Sequence, residues 1–169
     1  MKITDKNNIP NHKKMLEELF SHKILIGIFG ESGSDILMIA NVNEYGCKIQ
    51  VTEKMRNYLH AIGLHLKKDT TTINIPERSF VRSGWDSRRK KIEDTSIKLL
   101  KKVLLMQITP IEYFNLLGEY TRGQLVEYMT RDVQSPPNHP FTIAQKGSSN
   151  PLIDTGRLKD SIAYKVVKA

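Results

Sequence analysis

Thr109-Pro110-Ile111-Glu112 is the segment that most limits what this chain can fold into. A threonine followed three residues later by glutamate forms a capping box, and a proline at the first helical position gives up only an N–H that has no intrahelical acceptor. The four residues therefore end one helix and begin another. Upstream, Asp86 to Ile108 spaces Ile92, Leu99, Val103 and Met106, flanked by Ile97, Leu100 and Leu104, as a broad apolar stripe. Downstream, Ile111, Phe114, Gly118, Thr121, Leu125 and Met129 recur at three and four, and the small residues Gly118 and Thr121 let a partner approach closely. Two such helices, broken at Pro110, are expected to pack back on each other or cross at an angle.

Around this pair the periodicities predict smaller elements. Pro10 to Phe20 reads as an amphipathic helix with Met15, Leu16, Leu19 and Phe20 on one face. Lys23 to Phe29 and Asp35 to Asn43 read as two β-rich runs joined by the Gly30-to-Ser34 turn, hence a hairpin whose second member is a central strand. Thr52 is a plausible N-cap for a helix through Ile62, stopped by Gly63. Thr70 to Ile75 is β-prone and Pro76 ends it or places it at an edge. The last third, Ser135 to Val167, combines a loop punctuated by Pro136, Pro137 and Pro140, a Gly147-to-Asn150 hinge, a short helix capped by Asp154 or Thr155, and a terminal strand from Ile162. Long loops are uncommon in compact domains unless functional or disordered, so residues 135–150 are expected to reach a neighbouring subunit. The fold class that follows is α+β: one domain over residues 1–169, with a small, mostly antiparallel sheet packed by several helices and a long C-terminal loop leading to a terminal strand.

Several chemistries find no support. The single cysteine, Cys47, cannot form an intramolecular disulfide, and His12, His22, His60, His65 and His139 are scattered; His60 and His65 lie five apart, off the three or four spacing of one helix face. No metal or cofactor is expected. Ser32, in Gly30-Glu31-Ser32-Gly33, lacks the second glycine of a nucleophile elbow and precedes an expected strand where a helix is needed. Asp154, Lys159, Asp160 and Lys165 read as capped-turn surface more readily than as a nuclease centre. The polar start MKITDKNNIPNHKK lacks the apolar core of a secretory signal, and Ile24 to Phe29 and Ile36 to Ala40 are too short to span a bilayer, so a soluble chain made in the cytosol is expected. A net charge of +8 favours an anionic partner, with Arg88, Arg89, Lys90 and Lys91 the one tight basic block.

Ile75-Pro76-Glu77-Arg78-Ser79-Phe80-Val81-Arg82, followed by Trp85, has two readings: Phe80 and Trp85 plug the edge of the core, or the aromatics and arginines anchor an interface, where such residues dominate. With Ile39-Ala40-Asn41-Val42-Asn43-Glu44-Tyr45-Gly46 before it and Pro151-Leu152-Ile153-Asp154-Thr155-Gly156-Arg157-Leu158-Lys159-Asp160-Ser161-Ile162 after it, this segment resembles the virion-morphogenesis, or neck (head–tail joining, tail-completion), proteins of tailed bacteriophages. In that family an apolar strand ends in an H/N-E-[FY]-G turn, an [IM]-P-x-R-[PS]-F-[LIV]-R turn follows, and PL-x-D-TG-x-L-x-x-SI comes near the C-terminus. Ser79 stands where many relatives carry proline, and the helices from Asp86 to Asp132 are an insertion shared with longer relatives. The resemblance implies a structural, non-enzymatic virion protein that assembles into a ring, commonly sixfold, between the connector or adaptor and the tail tube or tail terminator, with packaged DNA in its lumen. Candidate interface residues are Arg78, Phe80, Arg82, Trp85, Asp154 and Arg157; candidate DNA-facing residues are Arg88, Arg89, Lys90 and Lys91. The alternative is a basic, non-enzymatic nucleic-acid-binding module.

Overall fold

The structure, a computed structural model, describes residues 8–169; the part of the N-terminal reading that falls on residues 1–7 lies outside them. The fold is α+β. In chain order the elements are α1 (Ile9–Phe20), β1 (His22–Ile28), a single 3-10 turn (Gly30–Ser32), α2 (Ser34–Tyr45), β2 (Cys47–Gln50), α3 (Glu53–Ala61), β3 (Thr72–Ile75), α4 (Arg82–Leu104), α5 (Pro110–Arg131), α6 (Pro140–Lys146), α7 (Arg157–Asp160) and β4 (Ile162–Lys168).

The capping box forms as its residues dictate: Thr109 Oγ1 accepts from the Glu112 amide at 3.2 Å and the Glu112 carboxylate accepts from the Thr109 amide at 2.7 Å. It launches α5, whose 22 residues run about 33 Å and make it the spine of the molecule. Tyr113, Phe114 and Leu117 at its start pack with Met15, Ile92 and Val103. Leu125 and Met129 near its end pack with Ile36, Phe80, Leu152, Leu158 and Ile162. The antiparallel helix α4 covers one side of α5, and the ribbon β1/β4 covers another, with Ile26 opposite Tyr164 and Ile24 opposite Val166.

Four expectations are corrected. Ser34–Tyr45 is a helix, so β1 has no hairpin partner beside it in sequence; it pairs with β4, and the sheet is two separate two-stranded ribbons, β1/β4 and β2/β3. An apolar run as short as Ile36 to Ala40 fits either period, and here the helix wins because it puts Ile36 and Glu44, both buried, and half-buried Ala40 on one stripe. Helix α4 starts at Arg82, four residues before the expected Asp86, and stops at Leu104. The loop 135–150 contains α6, N-capped by His139. Helix α7 is entered from Gly156, with no side-chain cap from Asp154 or Thr155. The strand Cys47–Gln50 carried no sequence signal strong enough to be expected.

Residues 47–75, comprising β2, α3 and β3, form an arm in which no residue is fully buried. Gly46 is its root: φ is +70°, and a Cβ there would stand 3.0 Å from both the Glu77 nitrogen and the Ile75 oxygen. Among the described residues no helix is long and apolar enough to cross a membrane.

The turn out of α4 is closed by Met106 at φ +55°, the one left-handed non-glycine among the described residues, with the Met106 and Gln107 amides donating to the Val103 and Lys102 carbonyls at 2.8 Å. That conformation is costly for any residue with a Cβ, and Met106 is substantially exposed. Met106→Gly is therefore expected to raise stability by about 0.5–1 kcal/mol, measured as a rise in urea midpoint at unchanged slope.

Candidate functional site

The segments that carry the resemblance lie far apart in sequence and meet in one corner of the fold. The first two meet at the Glu44 carboxylate, 6% exposed at the end of α2. Its Oε2 accepts from the amides of Phe80 (2.8 Å) and Val81 (3.0 Å); its Oε1 accepts from the Arg82 amide (2.9 Å), the Ser79 hydroxyl (2.7 Å) and Arg82 Nε (3.1 Å). These amides belong to the free N-terminus of α4, whose orphan donors and positive dipole end suit a carboxylate. Burial opposes ionisation of Glu44, but the Val81 and Arg82 amides, the Ser79 hydroxyl and the Phe80 amide outweigh it and hold the carboxyl below its ordinary range. Ser79 fixes this turn by hydrogen bonds: it donates to Glu44 and accepts from the Ser83 amide at 3.2 Å. Arg82 completes the clasp with Nη2 on the Glu44 carbonyl and the Glu77 carboxylate, both at 2.8 Å, and its guanidinium over the Tyr45 ring.

The third segment packs beneath this clasp. Leu152, Leu158 and Ile162 share a cluster with Phe80 and Ile36, and Arg157 pairs with Asp35 at 2.6 Å, tying α7 to α2. Lys146 ends α6 by donating to the carbonyls of Asn150, Pro151 (3.3 Å) and Ile153 (2.9 Å). Asn150 in turn donates to the Thr130 carbonyl at 2.9 Å, fastening the loop to α5.

Arg78 links the clasp to the loop. It is 8% exposed, its amide donates to the Asn43 carbonyl at 2.7 Å, and its guanidinium donates to the Pro136 and Pro137 carbonyls at 2.7 and 3.0 Å. No carboxylate bonds it, and burial lowers its pKa. Beside it, a cleft of about 600 Å³ opens between the arm and the loop that carries α6.

The six candidate interface residues thus take different places. Phe80 is 0% exposed and offers no surface; Arg78 is an internal strut; Arg82 and Arg157 are half-exposed ends of ion pairs. Asp154 borders the depression around Lys146, and Trp85, 41% exposed, is the one large apolar side chain of the set with a face to solvent. The basic block is largely answered by acids: Arg88 pairs with Asp132, Arg89 with Glu93 and Lys90 with Asp94, leaving Lys91 exposed without an ion pair.

The residues weighed for catalysis are also placed. A helix does follow Ser32, contrary to expectation, but position 34 is serine and no histidine or carboxylate bonds the Ser32 hydroxyl. Lys159 pairs with Asp160, whereas Lys165 pairs with Glu31 across the ribbon. His60 and His65 meet edge to face with ring centroids 4.4 Å apart. Among the described residues no three of His, Cys, Asp and Glu gather as a metal site.

Sequence reasoning missed Glu44 and Lys146 as organising residues. The available signal for Glu44 was its place four residues after Ala40 and eight after Ile36, a charge in line with an apolar helix stripe. The chain matches no protein-family model, no curated protein sequence and no solved structure.

Proposed function

We propose that this chain is a structural protein of a tailed-phage head–tail junction, a neck or tail-completion subunit that assembles with copies of itself into a ring between connector and tail tube. The observation that carries the reading is the convergence of the three resembling segments on the Glu44 clasp and the core beneath it. Short motifs that match by accident have no reason to build one interlocked unit. Exposed large apolar side chains on several elements, among them Phe20, Met38, Tyr45, Tyr58 and Leu105, add the unsatisfied surface that an assembly covers. A ring needs heterologous contacts, in which one patch meets a different patch on the next copy.

Light scattering of the purified protein across concentration, at low and high salt and with a short duplex DNA in parallel, tests this. The expected result is a ring-sized species that grows with concentration and is indifferent to the duplex. A monomer at every concentration that binds the duplex and loses it steeply with salt overturns the reading.

One observation favours the alternative, a non-enzymatic nucleic-acid-binding module. Along the exposed side of α4, Lys91, Lys98, Lys101 and Lys102 have no ion pair, and Lys98 sits three and four residues from two further lysines. Like charges at that spacing repel, and a phosphate backbone would relieve them. If this is the function, neutralising all four lysines with glutamine lowers the slope of log affinity against log salt by about 3–4.

A further inference from the structure

The cleft between the arm and the C-terminal loop has a composition that identifies its occupant. One wall is the loop, where Pro137, Phe141 and Pro151 alternate with Asn138, His139 and Thr142; the opposite wall includes Ile73, Asn74, Ile75 and Pro76 in unbroken succession. Successive residues of a strand point to opposite faces, so a wall made of consecutive residues is the strand's edge and not one of its faces. Among the described residues strand β3 pairs only with β2, which leaves alternate backbone N–H and C=O groups of Thr72–Ile75 without a ladder on the other side. An open edge of this kind is a template for an added strand.

The charge at the cleft is unbalanced. Arg78 lines it with Nε and Nη2 spent on the Pro136 and Pro137 carbonyls, while Nη1 makes no hydrogen bond. A second cation, Lys146, is held on backbone carbonyls in the adjoining depression, and its pKa is lowered by burial and by Arg78 against the opposing pull of Asp154. The other nearby acids are committed: Glu44 to the α4 terminus and Glu77 to Arg82. A largely buried guanidinium with only dipoles as protein partners and one nitrogen facing an open cleft is suited to a carboxylate there. Apolar side chains on both walls, among them Ile73, Ile75, Pro137 and Phe141, favour an anion carried on a chain with apolar neighbours.

We propose that this cleft captures an extended peptide segment of a neighbouring protein, laid along the outer edge of β3, with an aspartate or glutamate side chain on Arg78 and apolar side chains against Phe141 and the prolines. The site deepens the assembly reading and rests on it for there being a neighbour to supply the segment; its chemistry is independent of ring size.

The test uses acetylated, amidated heptapeptides of alternating valine and threonine with one aspartate moved along the sequence, and the same set with asparagine, titrated into the full-length protein by calorimetry and by amide chemical shifts. At least one aspartate peptide is expected to bind, shifting amides of residues 72–75 and of Asn138, His139 and Phe141, with its asparagine counterpart weaker by about tenfold or more. Leu66→Asp, which places a negative charge on the cleft wall away from the Arg78 strut, is expected to abolish binding in a protein that still folds. Sodium acetate alone is expected to produce none of these shifts. Equal binding of aspartate and asparagine peptides, shifts elsewhere on the surface, unchanged binding to Leu66→Asp, or no binding at millimolar peptide overturns the proposal. Ring mass is read separately: peptide capture by a protein that stays monomeric keeps the cleft and removes the ring, and a ring without peptide capture does the reverse.

Discussion

Replacing Glu44 with alanine is expected to destabilise the protein by about 3–5 kcal/mol, a fall in melting temperature on the order of 10 °C for a chain of this size. One carboxylate serves three backbone amides, one hydroxyl and one guanidinium, and its removal leaves those donors facing an apolar gap beside Phe80. Glutamine at the same position keeps the volume but brings an NH2 group against donors and loses the charge at the helix terminus, so Glu44→Gln should cost about 2–3 kcal/mol. The pH dependence separates charge from shape. Because the folded carboxyl titrates below its ordinary value of 4.5, its stabilisation is complete above about that pH and is lost as pH falls through the folded value. Urea unfolding at neutral pH and again in strong acid should show the gap between wild type and Glu44→Gln narrowing on acidification. A gap that does not change with pH would mean the clasp is not ionised.

The second large effect lies at Gly118, where a favourable local change should be globally harmful. Alanine in mid-helix is worth about 1 kcal/mol over glycine, so Gly118→Ala on an exposed helix would stabilise. Here the Tyr164 ring of β4 lies directly on the glycine; a Cβ would overlap the ring's Cδ2 and stand 2.8 Å from its Cγ and Cε2. The ring is half-buried on a strand packed on α5 and opposite Ile26 of β1, so making room means turning it outward or shifting β4. Gly118→Ala is expected to cost about 2–3 kcal/mol net, and in the Tyr164→Ala background the same change should cost far less or stabilise. A double-mutant cycle by urea unfolding reads the coupling, expected at about 1–3 kcal/mol; additive effects would place the ring elsewhere.

What could be read from the chain itself follows the range of the interactions involved. The α4–α5 pair, the Thr52 and Thr109 caps, α1 and the terminal strand are set by neighbours within a few residues, and they appear as the periodicities and caps predict. Helix α2 was misread because Ile36 to Ala40 satisfies both periods; its decisive partner, the α4 terminus, is remote in sequence from Glu44. Asp35 in the first turn and Gly46 just beyond Tyr45 were the local hints that favoured a helix. Among the candidate site residues, Arg78 and Phe80 were singled out for residue type, and type alone does not tell a surface anchor from a core plug or a buried strut. One wall of the cleft comes from the Pro-punctuated loop, which was legible as a loop, but its second wall depends on the arm folding back toward Arg78, which no local pattern encodes.

The β1/β4 ribbon sets a condition on how the chain acquires its fold. With Ile28 opposite Ile162 and His22 opposite Lys168, nearly everything between must be synthesised before β1 finds a partner. Helices α4 and α5 can pair as soon as they leave the ribosome, whereas the ribbon pays the entropy of the longest loop closure the molecule contains and so forms late. Until then the stretch around Gly118 has no Tyr164 over it, and Ile24, Ile26 and Ile28 remain exposed on a nascent strand with free edges on both sides. Translation arrest or proteolysis before residue 162 therefore releases a species that is largely helical, sticky along β1 and without the strand that covers it, which makes synthesis of β4 the point of commitment for this fold.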